Sequence, residues 1–390
     1  MKKAAHLRVA DVFRQHWAEY DRTHTIAPHQ LNAVRHILQC RTAALGGHLH
    51  RCDACHAEIP LYNSCQTRHC PTCQASAREV WLDARRADLL PVTYFHCVFT
   101  LPHALNALID ANRRLLLDEL FGTVAWVLQR FARDPQWRLQ GQLGFTAVLH
   151  TWTQRIQKHF HLHCIVPGGV WRSETRQWIP CRGKWLFRKD SLALAFRNRF
   201  LCRLQALRTS NKLLFTGCAA ELHAENAWNA LLAALQTENW IVYPKAAYNA
   251  TLVLDYLGRY THKAAISDHR IKSLANGLVT YSWRDRQDDN REKLDTIPAQ
   301  EFIRRFLHHI LPNGFQKIRH YGWLSSASKQ NTLADIRSAL PAPAPPTPQK
   351  ESLPDRILRL TGHDIRLCPI CGKGRLQKTE TIILPARGPP

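Results

Sequence analysis

Two histidines with one hydrophobe between them, His161-Leu162-His163, sit in the run Phe160–Val166, whose other residues read as a β-strand. Successive side chains of a strand point to opposite faces. The spacing therefore puts both imidazoles on one face and sends Leu162 into the layer behind. Two neighbouring imidazoles are half of a metal site, and such a site can hold a metal against a phosphate for in-line attack. A third ligand has to come from elsewhere; His150, Gln154 and His159 are the candidates. A histidine-rich site with open positions suits Mg²⁺ or Mn²⁺ bridging to a phosphate oxygen. Further along, Tyr256 and Tyr260 lie four residues apart, on one face of the helix expected over about 250–262. A phenol with a pKa near 10 is a weak nucleophile at neutral pH. Asp255, Arg259, His262 and Lys263 give the pair polar surroundings, and nearby cations with a metal-bound phosphate would compensate. The chemistry expected is tyrosine attack on DNA, leaving a 5′-phosphotyrosine and a free 3′-hydroxyl. The competing reading is an aromatic pair packed as core.

The balance of charge agrees with a nucleic-acid partner. The 390 residues carry 53 Lys and Arg against 30 Asp and Glu, a formal charge of +23. Such an excess displaces counterions from phosphates. A hydrophobic content of 45% argues for a folded chain. No run of 18 apolar residues is present, so no membrane span is expected. His6, Arg8 and Asp11 interrupt what would be the apolar stretch of a secretion signal. Arg304, Arg305, Lys317 and Arg319, near Tyr321 and Trp323, mix cations and rings as single-strand binding requires; Arg259 and Lys263 lie one helical turn apart beside the tyrosines.

The 13 cysteines are clustered, which favours metal binding in a reducing cytosol over a disulfide scaffold. Cys52-x2-Cys55 and Cys70-x2-Cys73 are separated by 14 residues and are expected to close one tetrahedral zinc site. That zinc, with no open position, would be structural. Cys65, His48, His50, His56 and His69 lie nearby as possible substitutes or ligands of a second site. Cys368 and Cys371 form a lone knuckle that needs partners from elsewhere, such as His363.

The elements that must position these residues follow from periodicity. Residues 1–45 read as an N-terminal helical segment and 46–78 as a zinc module. A catalytic domain over 90–335 follows, then a proline-rich linker at 340–350 and a tail at 351–390. Within the domain, Val92–Thr100, Phe145–Trp152 and Phe160–Val166 read as strands, with helices over 104–133, 190–208, 225–237 and Glu301–Ile310. Trp240–Tyr243 is a short strand, and Ile266–Ser273 with Leu278–Trp283 forms a hairpin turned at Asn276-Gly277.

Several segments carry a resemblance: Arg68-His69-Cys70-Pro71 through Cys73-Gln74, Tyr94-Phe95-His96 with Val98-Phe99-Thr100-Leu101-Pro102, His161 through Gly169, Tyr256-Leu257-Gly258-Arg259-Tyr260-Thr261-His262-Lys263, and Glu301 through Phe306. In order and spacing they resemble the rolling-circle HUH transposases of the insertion sequence 91 family over roughly residues 10–335. The resemblance implies an α+β protein with a central antiparallel sheet of HUH-endonuclease type, flanking helices and an N-terminal zinc-ribbon-like module. It also implies a bacterial enzyme, cytoplasmic and nucleoid-associated, that nicks one DNA strand at element ends and transfers it as single-stranded DNA. Tyr256 and Tyr260 would both be nucleophiles. Phe160 stands where family members usually carry proline, and Ala246–Thr251 replaces a Gly/Pro-rich loop. A replication initiator or relaxase with the same chemistry, and a non-catalytic zinc-dependent DNA-binding regulator, are the alternatives.

Overall fold

The computed structural model describes residues 7–182, 186–247, Leu254, Gly258, 264–340 and 351–383. Tyr256, Arg259, Tyr260 and Lys263, like the linker 341–350, lie outside the described residues. Strands β1 (Gly47–Cys52) and β2 (Glu58–Tyr62) open the chain's β-structure, followed by β3 (Tyr94–Thr100). Next come β4 (Phe145–Trp152), β5 (Lys158–Pro167), β6 (Gly169–Arg172) and β7 (Gln177–Pro180). The series continues with β8 (Val242–Ala247), β9 (Ile271–Ala275), β10 (Leu278–Asp285) and β11 (Arg291–Pro298), and ends with β12 (Ile318–Tyr321) and β13 (Leu376–Ile382).

The fold class is α+β. Its central sheet has five strands in the order β12-β4-β5-β3-β8, every pairing antiparallel. One face is apolar throughout: Phe95, Cys97 and Phe99 of β3, Phe160, Leu162 and Cys164 of β5, and Ala147 and Leu149 of β4 are buried in one core. Behind it runs the helix Arg113–Arg133, which buries Leu116, Leu117, Leu120, Phe121, Val124, Val127 and Leu128. These recur at three- and four-residue intervals, the stripe by which a helix covers a sheet. The helix Lys189–Thr209 adds Leu192, Phe196, Phe200 and Leu204 to the same core. Phe160 is one of these core residues, so the aromatic ring is accommodated away from the histidine-bearing face.

The short strand expected at Trp240–Tyr243 begins later and runs longer, as β8, because Val242 completes the core beside Phe99 while the chain pairs along β3. The hairpin turned at Asn276-Gly277 is present, with φ of 52° and 72° at the two turn residues. Those left-handed values are what a two-residue hairpin turn requires of Asn-Gly. It is the first arm of a three-stranded sheet β11-β10-β9.

Residues of the expected N-terminal helical segment pack on that second sheet. Phe13 meets Phe306 at 5.4 Å, and Val9, Val12, Val34 and Ile37 share a core with Tyr281, Phe302 and Ile303. The tail packs back on the N-terminal part of the chain: β13 pairs with β1, making the sheet β13-β1-β2.

The sheet's hold on the helices behind it is testable by truncation. Leu162→Ala removes a fully buried side chain and is expected to cost about 2–5 kcal/mol in chemical denaturation. Leu294→Ala, at a side chain 64% exposed, should stay within about 0.5 kcal/mol of the parent.

Candidate metal centre and its cleft

The other face of the central sheet carries the histidines. In the antiparallel register His150 of β4 stands opposite His161 of β5, and Val148 opposite His163. Directly paired residues share a face, so of His150, Gln154 and His159 it is His150 that the register brings beside His161 and His163. His150 Nδ1 lies 3.0 Å from His161 Nε2, and His161 Nε2 lies 3.1 Å from His163 Nε2. The three ligand atoms all fall within 4.8 Å of one another, and all three residues are buried. Cis ligands of an octahedral ion with bonds of about 2.1 Å stand about 3.0 Å apart, so the donor spacing fits such an ion.

Electrostatics favours the neutral, metal-binding form of each ring. Burial pushes all three pKa values down: His161 to about 3, and His150 and His163 well below the usual imidazole range, with the neighbouring imidazoles adding to the effect. Neutral imidazole has one N–H and one lone pair, and the hydrogen bond at one nitrogen decides which way the lone pair faces. His161 Nδ1 lies 3.0 Å from the His159 carbonyl oxygen and donates to it, which turns the Nε2 lone pair toward the cluster. His159 is thus a backbone support for a ligand.

A residue that spacing did not single out completes the arrangement. His96 Nε2 lies 2.8 Å from His163 Nδ1, with the rings stacked at 5.1 Å. With His163 Nδ1–H donating to His96, the lone pair of His163 lies on Nε2, on the side of His161, and His96 would hold that orientation. His96 pairs with Ile165 across β3 and β5, hence lies on the histidine face. The signal was present in the parity of the Tyr94–Thr100 strand, where His96, Val98 and Thr100 alternate with core residues.

The histidines floor a cleft of about 960 Å³. Tyr243 and Lys245 of β8 form one rim, and Trp283, Arg284 and Arg286 of β10 and its following turn form the opposite wall. Lys245 lowers the pKa of His96, and Arg286 that of His161 and His163, so positive charge is felt at the floor. Ala264 and Ala265 line the same cleft.

The two described residues of the tyrosine segment are anchored here. Leu254 is buried with Leu82, Tyr94 and Ile165, and Ile165 is two residues from His163 on the same strand face. Gly258, helical like Leu254, packs so closely on Leu82 that a Cβ would lie 2.7 Å from that side chain. The chain is therefore pinned beside the histidine face at Leu254 and Gly258 and again at Ala264.

Of the residues expected to contact DNA, Arg304, Arg305 and Arg319 have ion-pair partners within the protein. Arg304 and Arg305 both pair with Glu301, at 2.6 and 2.7 Å, because the three sit one helical turn apart. Arg319 pairs with Asp118 and lies over the rings of Phe121 and Phe315 at 4.1 and 5.1 Å. Burial, with Arg68 nearby, brings the Lys317 pKa down to about 7. Arg68 itself braces the zinc module, its guanidinium donating to the carbonyls of Leu311, Pro312 and Phe315.

The cysteine pairs do not close a single site. Cys70 and Cys73 group with Cys40 and Cys65, whereas Cys52 and Cys55 group with Cys368 and Cys371. Cys40 follows the helix Pro28–Gln39, and Cys65 Sγ stands 3.7 Å from Cys73 Sγ. The linear spacing placed two neighbouring knuckles in one centre; the fold instead gives each a partner pair that spacing does not identify.

Comparison with known proteins gives the family. Residues 144–332 match the family described as "Putative transposase", and residues 12–101 match the "Transposase zinc-binding domain" of insertion sequence 91 type. Over 388 residues the chain is 42% identical to "Putative transposase y4qJ" of Sinorhizobium fredii (strain NBRC 101917 / NGR234), covering 98% of this chain and 97% of the relative. The chain belongs to the insertion sequence 91 family of transposases. A more distant relative of this transposase is the "Transposase for insertion sequence element IS801" of Pseudomonas savastanoi pv. phaseolicola, 27% identical over 354 residues, 88% of this chain and 82% of the relative. No solved structure matches the transposase. The zinc-binding match spans Cys40, Cys65, Cys70 and Cys73, so the transposase's first cysteine cluster lies wholly within a zinc-binding domain. Among the described residues no helix is long and apolar enough to cross a membrane.

Loss of a ligand and loss of its support should differ in degree. In Mn²⁺ titration calorimetry of the transposase, His161→Ala is expected to abolish binding at this centre. His96→Ala should weaken it about 10–100-fold while leaving the site detectable.

Proposed function

We propose that this transposase cleaves and transfers a single DNA strand through a covalent 5′-phosphotyrosine, with Tyr256 and Tyr260 as nucleophiles, mobilising an insertion sequence by rolling-circle transposition. The observation that carries the proposal is the triad His150, His161 and His163 at the floor of a positively charged cleft, beside which Leu254 and Gly258 are anchored. Those two residues flank Tyr256, and Gly258 and Ala264 flank Arg259, Tyr260 and Lys263.

A divalent cation held by the three imidazoles would neutralise phosphate charge and polarise the phosphorus–oxygen bond. Borderline imidazole donors favour Mn²⁺ over Mg²⁺. The chain's own residues do the rest. The tyrosine oxygen attacks phosphorus as its proton passes to solvent. The bond to the 3′-oxygen breaks, and that oxygen takes up a proton to become a free 3′-hydroxyl. The bond energy stays in the phosphotyrosine, so strand joining is the reverse reaction at a new 3′-hydroxyl. Arg259 and Lys263, from their sequence position, would stabilise the developing phenolate and phosphorane charge.

The strand would follow the cleft and not the Arg304–Arg319 surface. Lys245, Arg284 and Arg286 supply charge along it, while Tyr243 and Trp283 offer rings on which bases can stack. Trp283 is held by Arg155 and Lys293, whose cations lie 5.4 and 6.0 Å from its ring. The site of action is DNA at the nucleoid in the bacterial cytoplasm.

The test is a labelled single-stranded oligonucleotide carrying an element end. With Mn²⁺ it should become covalently attached, peptide mapping should find the adduct on Tyr256 or Tyr260, and the double variant Tyr256→Phe/Tyr260→Phe should form none. Cleavage by that variant at the parent's rate would remove the nucleophile assignment. DNA binding by the parent without cleavage under any divalent metal would favour the regulator reading. A second expectation concerns the path: Trp283→Ala should weaken single-strand binding by about 1–3 kcal/mol, read by fluorescence anisotropy.

A further inference from the structure

We infer that the transposase holds a second structural zinc, bound by Cys52, Cys55, Cys368 and Cys371, which fastens the end of the chain to the N-terminal ribbon. The ligand pairs come from opposite ends of the chain. Cys52 Sγ lies 3.7 Å from Cys371 Sγ across 319 residues, and Cys55 Sγ lies 3.7 Å from Cys368 Sγ across 313 residues. Four thiolates around a tetrahedral zinc at about 2.3 Å stand about 3.75 Å apart, so the sulfurs occupy the corners such an ion needs. A disulfide needs sulfurs about 2.05 Å apart, which excludes oxidative pairing as the reason for the approach.

Both pairs have the backbone of a metal knuckle. After Cys52-x2-Cys55 the chain turns at His56, with φ of 58°, and the His56 N–H donates to the Cys52 carbonyl at 3.1 Å. After Cys368-x2-Cys371 it turns at Gly372, with φ of 67°, and the Gly372 N–H donates to the Cys368 carbonyl at 2.9 Å. Backbone N–H groups face the sulfurs: Ala54 and Cys55 donate to Cys52 Sγ, and Gly374 donates to Cys371 Sγ, each at 3.4 Å. Such donors would stabilise the negative charge on metal-bound sulfur. A Cβ on Gly374 would collide with Cys52 Sγ and Ala54, so the close approach of the two knuckles uses a position without a side chain.

The surrounding chain is built to bring the pairs together. Asp53 and Arg375 exchange hydrogen bonds, Asp53 N–H to the Arg375 carbonyl at 3.1 Å and Arg375 N–H to Asp53 Oδ1 at 2.7 Å. β13 pairs with β1 from Leu376 opposite Cys52 to Ile382 opposite Gly47. Cys52 and Cys368 are buried, although the sheet around them has little apolar core. Three exposed-edged strands of this kind are marginal without a staple, and a bound metal supplies one. Two of the four ligands lie beyond the zinc-binding match over residues 12–101. The inference is independent of the strand-transfer reading.

The measurement is zinc per chain in the purified full-length protein by native mass spectrometry, with Co²⁺ substitution as a second readout. The parent should carry two zinc ions and the variant Cys368→Ser/Cys371→Ser one, with its thiolate-to-cobalt charge-transfer absorbance halved. Cys371→His, which keeps a ligand, should retain two metals but show a weaker charge-transfer band, a change that unfolding would not mimic. A parent with one zinc, a serine variant that keeps two, or an unaltered cobalt spectrum in Cys371→His would each overturn the inference.

Discussion

Placing uncharged imidazoles side by side in a buried position is the constraint around which the rest of this protein is arranged. Three such rings on one sheet face are held away from water, and protonating any of them would bury a charge without solvation, with Arg286 near two of them. Neutral rings whose nitrogens converge in this way are suited to a cation. The geometry depends on β5 alternating strictly, so that Leu162 and Cys164 are drawn into the hydrophobic layer and His161 and His163 are pushed out of it. The helix Arg113–Arg133 behind the sheet contributes to the metal centre in this indirect way, since without that core the strand has no reason to hold its register.

The second sheet and the N-terminal helices serve the same centre from the other side. β10 carries Trp283 and Arg284 to the cleft wall, and its stability comes from a core shared with Phe13, Val34 and Phe306. Asp268 ties the elements together, accepting from the Val9 N–H at 3.0 Å and from Thr72 Oγ1 at 2.7 Å. The first cysteine cluster thus sits where helices, ribbon and catalytic unit meet. Its metal would fix the wall of the cleft without touching the substrate.

Much of this was legible in the residues themselves. Period-two alternation revealed the histidine pair and its face, Asn276-Gly277 revealed its hairpin, and apolar stripes revealed the long helices, because these signals are local. His150 was one of three candidates for a third ligand, and only the register shows that it stands opposite His161, because register is a long-range property. The cysteine partnership was illegible for the same reason: nothing in a CxxC spacing tells whether its complement is 14 or more than 300 residues away. The basic residues show a further limit: Arg304 and Arg305 read as a DNA surface, and the structure adds that Glu301, one turn earlier, pairs with both, while Arg319 meets Asp118 only through the fold.

The central claim is that His150, His161 and His163 together bind one divalent ion. Pulsed electron paramagnetic resonance of Mn²⁺ bound to the full-length protein tests it most directly, because each directly coordinated imidazole nitrogen gives its own hyperfine coupling. The expected spectrum contains three such nitrogens and loses one of them in His150→Ala. A Mn²⁺ ion surrounded by oxygen ligands alone, or a nitrogen count unchanged by that substitution, would contradict the account.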